Sequence, residues 1–124
     1  MVLRVAIIIV AYNARPYLED CFAGLARVNY SGESFQIIVV DNASEDGTPD
    51  WIAEHAPEAA LVRNLTNFGF AGGNNVGIRL AFERGAEFVY LLNQDTVPEP
   101  DFLREAIEVA QKDSRIAAAQ SLLL

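Results

Sequence analysis

The chain contains one cysteine, one histidine and a single lysine, and each scarcity removes a class of function. Cys21 alone can form neither an internal disulfide nor a cysteine-based metal cluster. It falls among Leu18, Phe22 and Leu25 at helical spacing, the setting of a small buried hydrophobe rather than a nucleophile. His55, equally solitary, suits a helix end or the surface better than catalysis. Lys112 is the one lysine and the formal net charge is −8. No basic stripe is therefore available to neutralise a nucleic-acid backbone, and no lysine stands where a Walker-type phosphate loop needs one. Any phosphate bound here must be met by backbone amides, a few arginines or a metal ion. No apolar run reaches the roughly 18–20 residues of a membrane-spanning helix. The N-terminus has no signal-peptide layout, so a cytoplasmic location is expected.

What is present is a chain of 124 residues, 52% apolar, which reads as one domain or part of one. A chain near this length buries roughly two-thirds of its unfolded surface. "LRVAIIIVAY" (3–12) is apolar and β-branched throughout, as in a strand covered on both faces. "RPYLEDCFAGLARV" (15–28) has helical spacing with Pro16 near its start. "FQIIVVD" (35–41) is a second buried strand. "TPDWIAEHA" (48–56) reads as a short helix with Thr48 at the cap and Pro49 in the first turn. "ALVRN" (60–64) is a brief third strand, and a helix then runs to about Gly85 with Val76, Leu80 and Ala81 on one side. "FVYLLNQD" (88–95) is a fourth strand. "PDFLREAIEVAQKD" (100–113) is an amphipathic helix with Phe102, Leu103, Ala106, Ile107 and Ala110 turned inward. "RIAAAQSLLL" (115–124) looks like the start of another strand. Alternating strands and helices predict a doubly wound α/β sheet. The chain stops inside an apolar segment, where an end is more often polar, so the expectation is a truncated domain. Its apolar edge at "SLLL" would favour a homodimer.

In an open parallel sheet, ligands bind outside the carboxyl ends of the strands. Four predicted strand ends carry polar residues: "AYN" (11–13), "DNASEDGT" (41–48), "NLTNFGFAGGNN" (64–75) and "NQDT" (93–96). Asp95 suits a hard divalent cation shared with diphosphate oxygens; alternatively, Asp95 and Thr96 cap the turn before Pro98. Asp41 is placed to accept hydrogen bonds from a ribose or base, or to serve its own turn. Ser44, Glu45, Asp46 and Gly47 read as turn and helix cap. Gly72 and Gly73 remove side chains where a helix begins, and helix N-termini present free amides to anions. Asn74 and Asn75 can cap that helix or bond a ligand, and Phe68 and Phe70 can wall the crevice or join the core. The glycines at 69, 72, 73 and 77 do not fit the G-x-G-x-x-G dinucleotide fingerprint.

Taken in this order, "AYN", "VVDNASEDGT" (39–48), "NFGFAGGNNVGI" (67–78) and "LLNQDT" (91–96) resemble the family 2 glycosyltransferases, in particular rhamnosyltransferase-like members. The resemblance covers essentially the whole chain. It implies a GT-A fold whose N-terminal part, here residues 1–124, binds a nucleotide-sugar (UDP- or dTDP-linked) with a divalent cation, Mg2+ or Mn2+. Ala11, Tyr12 and Asn13 lie where that family's first strand meets the base, and Asp41 matches its acidic nucleoside contact. Gly69 to Asn74, with Gly72 and Gly73 inside it and Asn67 just before it, matches the loop lining the nucleotide pocket. Asp95 matches the last aspartate of the D-x-D element that holds metal and diphosphate, while Asn93 replaces its first aspartate. The resemblance further implies inverting transfer to a saccharide or lipid-linked acceptor in polysaccharide biosynthesis, in a cytoplasmic protein or one peripheral at the inner membrane face. The family's catalytic base is expected beyond Leu124.

Two other α/β readings fit less well. A receiver-like signalling module phosphorylated on Asp41 would need an acidic cluster near the first strand, which the sequence lacks, and a lysine late in the chain. A sugar nucleotidyltransferase would need a glycine-rich basic loop after the first strand, where "AYNARPYLED" (11–20) offers only Arg15.

Overall fold

The computed structural model describes residues 4–30 and 35–113. Its strands are β1 (Val5–Ala11), β2 (Phe35–Asp41), β3 (Ala60–Arg63) and β4 (Phe88–Leu91), and its helices α1 (Leu18–Ala26), α2 (Thr48–His55), α3 (Gly69–Glu83) and α4 (Phe102–Gln111). A 3-10 turn at Arg15–Tyr17 leads into α1. The four strands form one sheet in the order β3-β2-β1-β4, and every pairing is parallel.

The period-two alternation of β1 explains why helices cover both faces. Val5, Ile7 and Ile9 share a core with Leu18, Cys21 and Leu25 of α1, Ile52 of α2, and Leu103 and Ile107 of α4. Ala6 and Ile8 turn the other way and meet Ile38, Val40 and the α3 residues Val76, Ile78, Leu80 and Ala81. The expected doubly wound α/β sheet is the one observed, with three helices on one face and α3 on the other. The inward residues expected of α4 are also the sheltered ones, Leu103 and Ile107 most completely.

On its face, α3 sits unusually close to the sheet. A Cβ on Gly77 would lie 2.5 Å from Ile8 Cγ2 and 3.3 Å from Val40 Cγ2, and one on Gly73 would lie 2.7 Å from Val10 Cγ1. These two glycines, one turn apart on the helix, are where backbone replaces side chain in the packing.

Two local expectations are corrected. β4 ends at Leu91 instead of running to 95. The Leu92 N–H still reaches the Ile8 carbonyl at 2.9 Å, and the chain then turns, with the Thr96 N–H on the Asn93 carbonyl at 3.1 Å. Asn93 to Thr96 carry no apolar side chain to hold them in a covered strand. The second correction concerns α2, where Gly47 (φ 85°) takes the cap position and Thr48 is the first helical residue. The Asp46 carboxylate accepts from the Thr48 N–H and hydroxyl, while Thr48 Oγ1 accepts the Ala14 N–H at 3.0 Å. His55 closes α2 as a helix-end residue, stacked on Trp51 at 4.6 Å with Nδ1 on the Trp51 carbonyl. The strand expected over 115–124 lies outside the described residues.

Cys21 is buried, and its burial, with a smaller effect from the charge of Asp95, pushes the thiol up to about 11. Alkylation at pH 8 should therefore be roughly a hundredfold or more slower in the native chain than in urea, as followed by mass spectrometry. Gly77→Ala should lift α3 from the sheet and lower stability by about 1–3 kcal/mol, read from urea unfolding.

Candidate functional site

The register aligns the strand ends. Ala11 of β1 pairs with Asp41 of β2, which pairs with Arg63 of β3, so the loops after all three leave from one edge of the sheet. From β1 the chain runs outward through β2 to β3, and α3 then carries it back across to β4 on the far side of β1. The strand order therefore reverses between β1 and β4, where an open α/β sheet leaves its ligand crevice.

A cavity of about 400 Å3 lies there, lined by Val10, Tyr12, Asn42, Asn67, Gly69, Phe70, Asn93, Gln94 and Asp95. Of the residues expected in the site, the structure brings Tyr12, Asn67, Gly69, Asn93 and Asp95 together on its wall. Phe70, exposed to 59%, walls the crevice rather than joining the core.

The other expected residues lie behind or beside that wall. Ala11 is fully buried on the face of α1. Asp41 is 2% exposed; its carboxylate accepts from the Ser44 N–H at 3.0 Å and the Ser44 hydroxyl at 2.6 Å. Ser44 Oγ in turn accepts the Asn13 N–H at 2.9 Å, and the Asn13 side-chain oxygen accepts the Glu45 N–H at 2.9 Å. Asn13 adopts a left-handed backbone (φ 48°), a conformation asparagine tolerates better than most residues. Gly72 faces Phe68, Gly73 faces Val10 and Asn42, and Asn74 is buried in the first turns of α3.

Asn42 and Gln94 line the cavity although neither stands out by residue type. Asn42 is 1% exposed, and its backbone N–H bonds the Ala11 carbonyl at 2.8 Å. Its Nδ2 donates to the Gly69 carbonyl at 3.0 Å, and its Oδ1 accepts from Asn64 Nδ2 at 2.9 Å. One residue, through its backbone and its side chain together, thus joins the ends of β1, β2 and β3 to the start of α3. The signal that finds it is parity, because the residue after Asp41 turns to the α3 side. The Asn67 side chain caps the same place, accepting the Gly69 N–H at 2.8 Å, and Gly69 itself needs φ 77°.

On the opposite side, Asp46 ties the β1–α1 connection to α2. Desolvation opposes its ionisation, but bonds from the Thr48 hydroxyl and from the backbone N–H groups of Arg15 and Thr48 outweigh it and hold the carboxyl below its usual value. A carboxyl depressed in the folded state stabilises the fold above its unfolded pKa and loses that contribution as pH falls through the folded value. Asp46→Asn should accordingly lose part of the stability measured at pH 7 and show a flatter stability–pH curve below roughly pH 4, checked by urea unfolding across pH.

A parallel sheet with a polar crevice where its strand order reverses has the layout in which open α/β domains place their ligands. The family can also be stated: the model for glycosyl transferase family 2 matches residues 6–123, and the chain belongs to that family. It is 30% identical over 112 residues to the undecaprenyl-phosphate mannosyltransferase of Micrococcus luteus, covering 88% of this chain and 45% of that one. It is 32% identical over 120 residues to the succinoglycan biosynthesis protein ExoO of Rhizobium meliloti, covering 95% and 33%. Among solved structures, the mannosyltransferase PcManGT from Pyrobaculum calidifontis, in complex with GDP-Man and Mn2+, superposes with a TM-score of 0.80 at 30% identity, covering 90% of this chain and 33% of that one. The GT-A sheet expected from the motifs is thus the fold observed. The chain spans less than half the length of each of these relatives. No helix among the described residues is long and apolar enough to cross a membrane.

Proposed function

We propose that residues 1–124 form the donor-binding part of an inverting glycosyltransferase, one that holds a nucleoside diphosphate sugar in the crevice between β1 and β4. The observation that carries this reading is the composition of the crevice wall. Tyr12 on the β1 side offers an aromatic face for a base, and Asn93 and Asp95 on the β4 side offer oxygens for a cation. Between them, Gly69 opens a helix of 15 residues, whose dipole and first-turn N–H groups beyond the one Asn67 caps favour a diphosphate.

The donor set decides what kind of cation fits. Among the described residues no group of three histidine, cysteine or acidic side chains converges, so these residues alone form no closed metal site. One carboxylate, Asp95, with the amide oxygen of Asn93 fits an Mg2+ or Mn2+ ion that takes its remaining ligands from phosphate and water. Such an ion, when bound, supplies positive charge to a departing diphosphate in a chain that has little of its own. The bound Mn2+ of the Pyrobaculum mannosyltransferase supports the same assignment. Asp41 in this reading braces the 41–48 turn from behind, while Asn42 sets the distance between the nucleoside wall and α3. The acceptor hydroxyl would come from a saccharide or a lipid-linked carrier, and the base that deprotonates it from a part of the family's catalytic domain other than this donor crevice.

The spelling of the motifs favours the rhamnosyltransferase-like branch and a UDP- or dTDP-linked donor. A guanosine donor is the second reading, favoured by the GDP-Man held by the Pyrobaculum neighbour. Calorimetric titration with UDP, dTDP and GDP, with Mn2+ and then with EDTA, separates them. One of the three should bind with Mn2+ and weaken on chelation. Asp95→Ala should weaken that binding roughly tenfold or more, the loss of one charge-assisted contact worth about 1.5–3 kcal/mol. Binding indifferent to both EDTA and Asp95→Ala would remove the metal from this reading.

A further inference from the structure

Gln94 is the middle residue of "NQD", and no role attaches to it from the motif on either side. Its setting follows from the register of β1. The Ile8 carbonyl accepts from Leu92, on the β4 side, whereas the Ala11 carbonyl accepts from Asn42, on the β2 side. Even-numbered residues of β1 therefore turn their backbone groups toward β4, and odd-numbered ones toward β2. Tyr12, even-numbered, directs its N–H and C=O across the crevice. Residue 94 would stand opposite Ala11 if the pairing of Val5 with Phe88 and Ile8 with Leu91 were continued, but the backbone of β4 has already turned away.

The Gln94 side chain fills that gap. Its Oε1 accepts the Tyr12 N–H at 2.8 Å, and its Nε2 donates to the Tyr12 carbonyl at 3.3 Å. A primary amide presents its oxygen and one of its two N–H bonds along the same edge, so it can pair with both backbone groups of one residue, and the side chain extends the ladder by one rung after the strand has ended. Gln94 and Asp95 are also the two central residues of the turn closed by the Thr96 N–H on the Asn93 carbonyl. Whatever fixes the Gln94 side chain fixes the turn that carries Asp95.

The geometry points to Gln94 as a positioning residue that couples the two halves of the donor site: its amide, paired with the Tyr12 backbone, sets the Asp95 carboxylate at a fixed reach from the nucleoside wall. This inference rests on the donor-site reading of the crevice. A diphosphate spans from base to cation, so the two ends of the site must hold their separation if binding at one is to favour binding at the other. The amide bridge is the described side-chain link from the β4 turn to β1. It acts without touching the reacting atoms, which distinguishes it from Asp95.

Gln94→Met keeps the length of the side chain and removes both hydrogen bonds. The quantity to measure is the ratio of nucleoside diphosphate affinities with Mn2+ and with EDTA, for wild type and variant. The ratio should fall roughly tenfold in the variant, within the usual range of coupling between sites. Gln94→Asn, one methylene shorter, should not restore it. Amide hydrogen exchange gives a readout free of ligand. Exchange at Tyr12 should accelerate in Gln94→Met, while Asn13 and Ala14, held by Ser44 and Thr48, keep their protection. A Met variant with the wild-type ratio, or with unchanged exchange at Tyr12, overturns the inference alone. A wild-type chain that binds none of the nucleotides in Mn2+ overturns the donor-site reading and this inference with it.

Discussion

The approach of α3 to β1 is the constraint on which the rest of the molecule depends. Side chains at 73 and 77 would collide with Val10 and Ile8, so the helix rests its backbone on the central strand. Dispersion and burial at that contact are sensitive to tenths of an ångström. The consequence is positional: with the helix seated there, its first residue, Gly69, comes over the carboxyl ends of β1 and β2 and within reach of Asn42. A helix held further out by a single methyl group would carry the 67–70 loop away from the crevice it now walls.

Polar groups finish what this packing begins. Asn42 is almost wholly buried, yet its bonds to Ala11, Asn64 and Gly69 satisfy it, and no buried side-chain polar atom among the described residues lacks a partner. A buried amide left unpaired would be costly, so a residue of this kind specifies one arrangement of the surrounding loops. The turn through Asp41, Ser44, Asp46 and Thr48 does the same on the other face, where it clamps the backbone of Asn13, Ala14 and Arg15. The crevice wall is thus rigid on the side of β1 and β2. On the β4 side it rests on a short turn and the side chain of Gln94.

The Pyrobaculum mannosyltransferase, solved with GDP-Man and Mn2+, shares this fold. In the proposed donor site, the low content of basic residues would leave the charge of a diphosphate to helix amides and a cation. A single carboxylate with an amide at the rim would make that cation dependent on the ligand, linking metal and nucleotide binding through the same few atoms.

Much of the fold was legible in the order of residues. Strand and helix signals are local properties: "VAIIIVAY" reads as a strand by its length and β-branched residues, and "FLREAIEVAQ" as a helix by its period. The polar residues after each strand likewise marked the edge where a crevice would open, and Tyr12, Asn67, Gly69, Asn93 and Asp95 were found there. The division of labour between Asp41 and Asn42 was not legible from composition. Adjacent residues at a strand end face opposite sides of the sheet, and which side holds the cavity depends on where α3 returns. Nor did residue type single out Gln94, because a glutamine gains its role only when β4 ends three residues short of the β1 edge and leaves the Tyr12 backbone facing a gap. The sequence by itself determined the elements, their alternation and the chemistry available at their ends. The tertiary structure alone decided which of those groups meet, because hydrogen bonds between residues 82 positions apart depend on strand order and register, which no local pattern encodes.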